Sequence, residues 1–162
     1  MRAFIGVGTN LGDRWRSLAF AAAFLRRSGA VAIVRASGVW DTEPLGPPQP
    51  RYLNAVLELE TRLVPRALLR LLQDGERAAH RRRDVRWGAR TLDLDLLLYE
   101  DRSIAEPGLV VPHAGIGSRA FVLAPLAELA PELVVPTTGC TVARLLAALP
   151  QDGLSRVALY PL

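Results

Sequence analysis

The chain contains no lysine: all twenty of its basic residues are arginine. That absence excludes a P-loop, which needs the lysine of G-x-x-x-x-G-K-[ST], a protein kinase with its strand lysine, and Schiff-base catalysis through a lysine amine. Any phosphate chemistry would fall to arginine forks, backbone N–H groups and metal ions. Cysteine is nearly absent too. Cys140 stands alone, which excludes an internal disulfide, and with only His80 and His113 beside it a His/Cys zinc site is not expected. Aromatic residues make up only 6%, and no K/R-G-F/Y-G/A-F-V-x-F/Y segment occurs, which counts against an RNA-binding module. No apolar run reaches the ~20 residues of a membrane span. The N-terminus lacks the charged, apolar, small-residue order of a signal peptide. A cytoplasmic protein without membrane association is the expectation.

What is present is enough for one domain. At 162 residues and 50% hydrophobic content, the chain can build a single sizeable core over residues 1–162. A net charge of +4 and a pI near 10.2 point to an anionic partner, which could be nucleic acid, a nucleotide or a membrane surface.

Arg2 to Gly8 reads as a short strand ending in the turn formers Gly8 to Asp13. Ala- and Leu-rich sequence from Arg14 to Arg27, closed by Ser28-Gly29, predicts a helix. Ala30 to Trp40 reads as a second strand. Asp41 to Arg51 has five prolines or glycines in eleven positions and reads as a loop. Tyr52 to Glu60 is a third strand, and Leu63 to Arg77, with a proline in its first turn, a second amphipathic helix. His80 to Arg90 is a charged loop, and Thr91 to Tyr99 a fourth strand. The order predicts an α+β protein with a ferredoxin-like βαββαβ core: an antiparallel sheet with helices on one face, followed by C-terminal additions. Those additions hold a Pro112-His113 turn, helical pieces near 121–129 and 141–149, and a tail strand at 155–160. Low apolar content in segments 41–51 and 80–90 predicts that both are weakly pinned without ligand.

The segment Leu92-Asp93-Leu94-Asp95-Leu96 carries the most chemistry. Residues two apart on a strand share a face, so Asp93 and Asp95 project together with Cα atoms roughly 6.6 Å apart, while the leucines face the core. Two such carboxylates suit a hard cation such as Mg²⁺, which takes a few carboxylate oxygens plus water and phosphate oxygens. A half-exposed strand with a solvated acidic face is the plain alternative. Arg90 lies three residues before Asp93, and Arg81, Arg82, Arg83 and Arg86 lead in, so metal-bound polyphosphate can be bracketed by both charges.

Arg86-Trp-Gly-Ala-Arg90-Thr-Leu-Asp93-Leu-Asp95 resembles the signature of the 6-hydroxymethyl-7,8-dihydropterin pyrophosphokinases. So do Gly8-Thr-Asn-Leu-Gly12, Thr42-Glu-Pro-Leu-Gly46, Tyr52-Leu-Asn54, Gln73 with Glu76, Val111-Pro-His113 and Arg119-Ala-Phe121, in order and with similar spacing. The resemblance implies transfer of the β,γ-pyrophosphoryl group of ATP to a pterin hydroxymethyl oxygen, releasing AMP, in folate biosynthesis. It implies that Asp93 and Asp95 hold two Mg²⁺ ions and that Arg82 and Arg90 act with them in catalysis. Gln73, Glu76, Arg82, Trp87, Arg90, Leu96, His113 and Arg119 are implied at the ATP. Thr42, Pro44, Leu45, Tyr52, Asn54, Asp95 and Phe121 are implied at the pterin, with the ring between Tyr52 and Phe121.

The chain departs from the family pattern at Ala114, where an aromatic often follows the histidine, and at Ala89 and Glu43, where proline is common. The stretch from Glu76 to Trp87 is one residue shorter, which leaves the assignment of Arg81, Arg82 and Arg83 to particular phosphate contacts open by one position. ATP and the pterin are the expected partners of a monomer, without nucleic acid. A two-metal nucleotidyl transferase or cyclase would use similar acids and release pyrophosphate instead, and an RNA-binding module is the third reading.

Overall fold

A computed structural model describes residues 1–44, 47–81 and 92–162. Strand β1 (Arg2–Thr9) is apolar nearly throughout because both of its faces are covered: Ala3, Ile5 and Val7 pack toward one side and Phe4 toward the other. Helix α1 (Arg14–Arg27) starts where predicted, capped by the Asp13 carboxylate, which accepts from the Arg16 N–H at 3.0 Å. Its stripe Leu18, Ala21, Ala22 and Leu25 recurs at helical spacing and enters the core.

The predicted second strand is two strands, β2 (Val31–Ala36) and β3 (Val39–Thr42), both paired with β4 (Tyr52–Thr61). Between them buried Ser37 holds on to Val56: its N–H donates to the Val56 carbonyl, and its hydroxyl accepts from the Val56 N–H at 2.8 Å. The ladder is thus interrupted without stranding a buried amide. β3 also takes in Asp41 and Thr42, expected in a loop, because Leu53 and Tyr52 offer them strand partners. Helix α2 (Pro65–Arg81) runs four residues past its expected end, through Ala78 and buried Ala79, both good helix formers.

Strand β5 (Leu92–Tyr99) pairs with β1, and with the C-terminal strand β10 (Leu154–Ala158) the sheet order is β10-β3-β4-β1-β5, with β2 also on β4. Every strand pairing among the described residues is antiparallel. The small hairpins β6 (Ile104–Glu106) with β7 (Leu109–Val111) and β8 (Val134–Val135) with β9 (Cys140–Thr141) lie outside this sheet. Helix α3 (Ala120–Leu129), helix α4 (Val142–Ala147) and strand β10 (Leu154–Ala158) complete the α+β architecture.

The helices do not all share one face. α1 and α2 cover the side of Ile5, Leu57 and Leu94, whereas α3 packs its Val122, Leu123 and Leu126 on the opposite side against Phe4, Val56 and Leu97. Glu128 fastens α3 to the sheet edge by accepting from the Gly38 N–H at 3.0 Å and the Trp40 indole at 2.6 Å. Among the described residues no helix is long and apolar enough to cross a membrane.

Candidate active site

The floor of the site is set by strand alternation. On the α3 side of β1 the side chains after Phe4 are absent, because positions 6 and 8 are glycine. The register places Gly8 opposite Asn54 on β4 and Asp93 on β5, and Gly6 opposite Val56 and Asp95. The two glycines therefore leave a trough between the walls that β4 and β5 raise. At Gly8 the approach is too close for anything larger: a Cβ there would stand 2.9 Å from Asn54 Oδ1. The trough opens into a cavity of about 210 Å³. Thr42, Pro44, Tyr52, Asn54 and Phe121 line it together with Asp93, Asp95 and Arg119.

On the β5 wall, Asp93 and Asp95 share a face as the spacing predicts, and the leucines between and beside them are buried on the other. A third carboxylate lies behind them. Gly75 has no side chain, and a Cβ would meet Leu94 Cδ1 at 3.0 Å and Phe24 at 3.1 Å, so α2 can press onto β5 and α1. That contact brings Glu76 to the open edge of β5, where its Oε1 accepts from the Leu94 N–H at 2.8 Å, between the two aspartates. Burial pushes the Asp93 carboxyl above its ordinary value, the Asp95 charge pushes it further, and His80 pulls the other way. Glu76 is raised chiefly by burial, with the two aspartates adding to it and the Leu94 N–H opposing. Two carboxyls raised in this way beside the Asp95 charge make the described part of the site favourable for a cation. Among the described residues no three His, Cys, Asp or Glu side chains converge closely enough to hold a metal by themselves. A cation here would take two aspartates and complete its shell with water or ligand oxygens, which is the donor set magnesium prefers.

His113 joins this group through its backbone, since its N–H donates to the Leu97 carbonyl at 2.9 Å on the outer edge of β5. Its Nδ1 accepts from the Gly115 N–H at 3.2 Å, so in the neutral ring the proton sits on Nε2, which lies 4.0 Å from Asp95 Oδ1. The Val111–Pro112 bond that precedes it is cis.

On the opposite wall, Asn54 Nδ2 donates to the Thr42 hydroxyl at 2.7 Å, which fixes the amide over Gly8. Tyr52 is near enough to Asp93 for its phenol to be pushed above the ordinary range, by burial first and by that carboxylate second. Phe121 enters from the first turn of α3, and the Arg119 guanidinium carbon lies 5.9 Å from its ring centroid.

Two residues are placed apart from the cleft. Leu96 belongs to the core beneath the sheet, 4% exposed, because its strand parity puts it on the face away from Asp93 and Asp95; its side chain does not line the cavity. Gln73 is exposed on α2, one turn before Glu76. Leu45, Arg82, Trp87 and Arg90 lie outside the described residues.

Several lining residues were not singled out from sequence. Gly6 was signalled by the Gly-x-Gly within a strand pattern, a mark of close approach. Gln49, which lines the cavity and accepts from Asn10 Nδ2 at 3.0 Å, carried no sequence signal beyond a proline-rich context. The charged sequence from His80 predicts a loop, whereas His80 sits on the last turn of α2, where its charge reaches Asp93.

Residues 4–131 match the family model of 7,8-dihydro-6-hydroxymethylpterin-pyrophosphokinase. The chain is 41% identical over 157 residues to a 2-amino-4-hydroxy-6-hydroxymethyldihydropteridine pyrophosphokinase of Methylorubrum extorquens, covering 96% of this chain and 98% of that one. It is 42% identical to the protein of the same description in Pseudomonas aeruginosa, covering 96% of each. Among solved structures, an HPPK-DHPS protein of Plasmodium falciparum superposes with a TM-score of 0.74 at 13% identity, over 91% of this chain and 45% of that one, a likeness of fold.

Proposed function

Since this chain belongs to the 7,8-dihydro-6-hydroxymethylpterin-pyrophosphokinase family, we infer its chemistry from that membership and from the cleft together. It is a pyrophosphokinase of folate biosynthesis: it transfers a pyrophosphoryl group from ATP to the hydroxymethyl group of 6-hydroxymethyl-7,8-dihydropterin and releases AMP. The hydroxymethyl oxygen forms a bond to the β-phosphorus, and the bond from that phosphorus to the oxygen of the α-phosphate breaks.

One observation carries the residue roles: a single cleft gathers an amide, a hydroxyl, two aromatic rings and an arginine together with two aspartates. Tyr52 and Phe121 hold the pterin ring between them, and Asn54 and Thr42 read its polar edge, as a planar heterocycle with ring nitrogens requires. Asp93 and Asp95 hold magnesium. When bound, the metal neutralises triphosphate charge and acidifies the attacking hydroxyl. His113 Nε2 and Arg119 donate to phosphate oxygens, and Glu76 holds the strand edge so that the aspartates keep their spacing. Positioning and charge stabilisation then carry most of the rate enhancement.

The strand order, with β2 and β3 counted as one interrupted strand, supports reading the core as ferredoxin-like βαββαβ. The common sheet beneath both core clusters supports one domain over residues 1–162. We further propose a cytoplasmic monomer that does not bind nucleic acid.

Incubation with MgATP and 6-hydroxymethyl-7,8-dihydropterin followed by product identification tests the reaction. AMP and the pterin diphosphate are expected; pyrophosphate release would favour a nucleotidyl transferase.

A further inference from the structure

We propose that Arg51 is a positioning residue for the pterin half of the site, a guanidinium clasp that closes the base of the β3–β4 loop and ties it to the C-terminal strand. The proposal rests on the pterin reading of the cleft given above. Arg51 is the last residue of that loop, next to Tyr52, and Asp41 lies within β3, next to Thr42; Thr42 and Tyr52 are register partners and both line the cleft. One guanidinium meets three partners. Its Nε donates to Asp41 Oδ1, its Nη2 donates to the Gly153 carbonyl at 2.9 Å, and its Nη1 lies 3.6 Å from Glu43 Oε1.

Each partner is itself held. The Gly153 carbonyl also accepts from the Glu43 N–H at 3.3 Å, so the loop leaving β3 and the turn entering β10 share one acceptor. That turn runs through Gly153 at φ 75°, and a Cβ there would stand 2.7 Å from Glu43 Cδ, so glycine is what lets the carbonyl be presented this way. The Arg51 carbonyl accepts from Arg14 Nη1 at 3.1 Å, which brings in the first turn of α1. Segments far apart in sequence therefore converge on the residue next to Tyr52.

An ion pair this exposed contributes little to global stability. Its effect lies in direction: a planar fork holds two hydrogen-bond acceptors at fixed angles with the Glu43 carboxylate alongside, which a point charge on a flexible stem does not. Loss of the clasp would let Tyr52 and Pro44 drift relative to Asn54, and the ring would be bound less well. The nucleotide side, built on β5, α2 and His113, shares none of these contacts.

Steady-state kinetics with each substrate varied in turn, on the parent, Arg51→Ala and Arg51→Lys, test the proposal. In Arg51→Ala the KM for the pterin should rise about five- to tenfold while the KM for ATP stays within about twofold. Arg51→Lys should fall between, because an ammonium keeps Asp41 but not all three partners. Thermal melting should be nearly unchanged. An unchanged pterin KM in Arg51→Ala would overturn the clasp, and so would equal rises in both KM values with a lowered melting temperature, which would make Arg51 a general structural residue. If Arg51→Ala does not fold, Asp41→Asn carries the same test by the same criterion. Failure of the parent to form AMP from the pterin would refute the underlying reading, whereas a competent parent with an indifferent Arg51→Ala refutes only the clasp.

Discussion

Gly8→Ala is the smallest change that separates the pterin wall from the metal wall. The added methyl would stand 2.9 Å from Asn54 Oδ1, and the next nearest atom, Tyr52 Cδ1, is 3.9 Å away. The collision is thus confined to one amide. Asn54 must swing away from the floor, and its 2.7 Å bond to Thr42 goes with it. That bond is worth about 1 kcal/mol net, and forcing a methylene-sized group into a packed position costs about 1–3 kcal/mol. Part of this appears as lost stability and part as lost complementarity for the ring. A loss of about 1.4 kcal/mol at the pterin corresponds to tenfold weaker binding. Fluorescence or calorimetric titration with the pterin and, separately, with MgATP reads both sides. The expected result is about tenfold weaker pterin affinity with ATP affinity unchanged. The double variant with Asn54→Ala should be little worse than Asn54→Ala alone, because the methyl acts through that amide. Pterin affinity within about twofold of the parent, or fully additive effects in the double variant, would refute the reasoning.

Asp93→Ala and Asp95→Ala should each lower turnover far more than tenfold, the change that about 1.36 kcal/mol represents, while melting near the parental temperature; a smaller loss in both would sink the metal assignment. Tyr52→Ala and Phe121→Ala should weaken the pterin selectively in direct titrations, and an equal loss of ATP affinity would make the rings nucleotide or core residues. Burial pushes Glu58 upward, yet hydrogen bonds from Arg35 and Arg2, each at 2.6 Å, hold its carboxyl below the ordinary 4.5. A lowered carboxyl contributes stability that is present above that value and lost as pH falls through the folded one. Urea melts between about pH 6 and about pH 3 should show a steeper acid decline for the parent than for Glu58→Gln, and equal slopes would contradict it.

The parts of the site legible in sequence are those that depend on parity and local chemistry. Asp93 and Asp95 share a face because strands alternate, and the limits of α1 follow from Asp13 and the Ser28-Gly29 stop. What escaped depends on distant partners. The break at Ser37 becomes visible only once Val56 lies opposite, and Glu76 finds Leu94 only because Gly75 lets α2 approach. Proline content in 41–51 predicted a weakly pinned loop, yet its base is fastened at Arg51 by groups as distant as Gly153. Parity predicts Leu96 in the core and the resemblance implies it at the nucleotide; its side chain lies in the core. The expectation for 80–90 falls largely outside the described residues.

The placement of α3 has a consequence for how the protein comes into being. Floor glycines, amide wall and both aspartates are all encoded before residue 100, but Phe121 and Val122 close the cleft only when α3 settles on Phe4, Val56 and Leu97. A chain emerging from the ribosome can therefore assemble its sheet, all but β10, before it can grip a ring. Until then it shows an apolar flank that mature molecules hide. Competence for the ring arrives late in synthesis, and a chain halted short of α3 keeps exposed an apolar flank of the kind that chaperones and proteases act on.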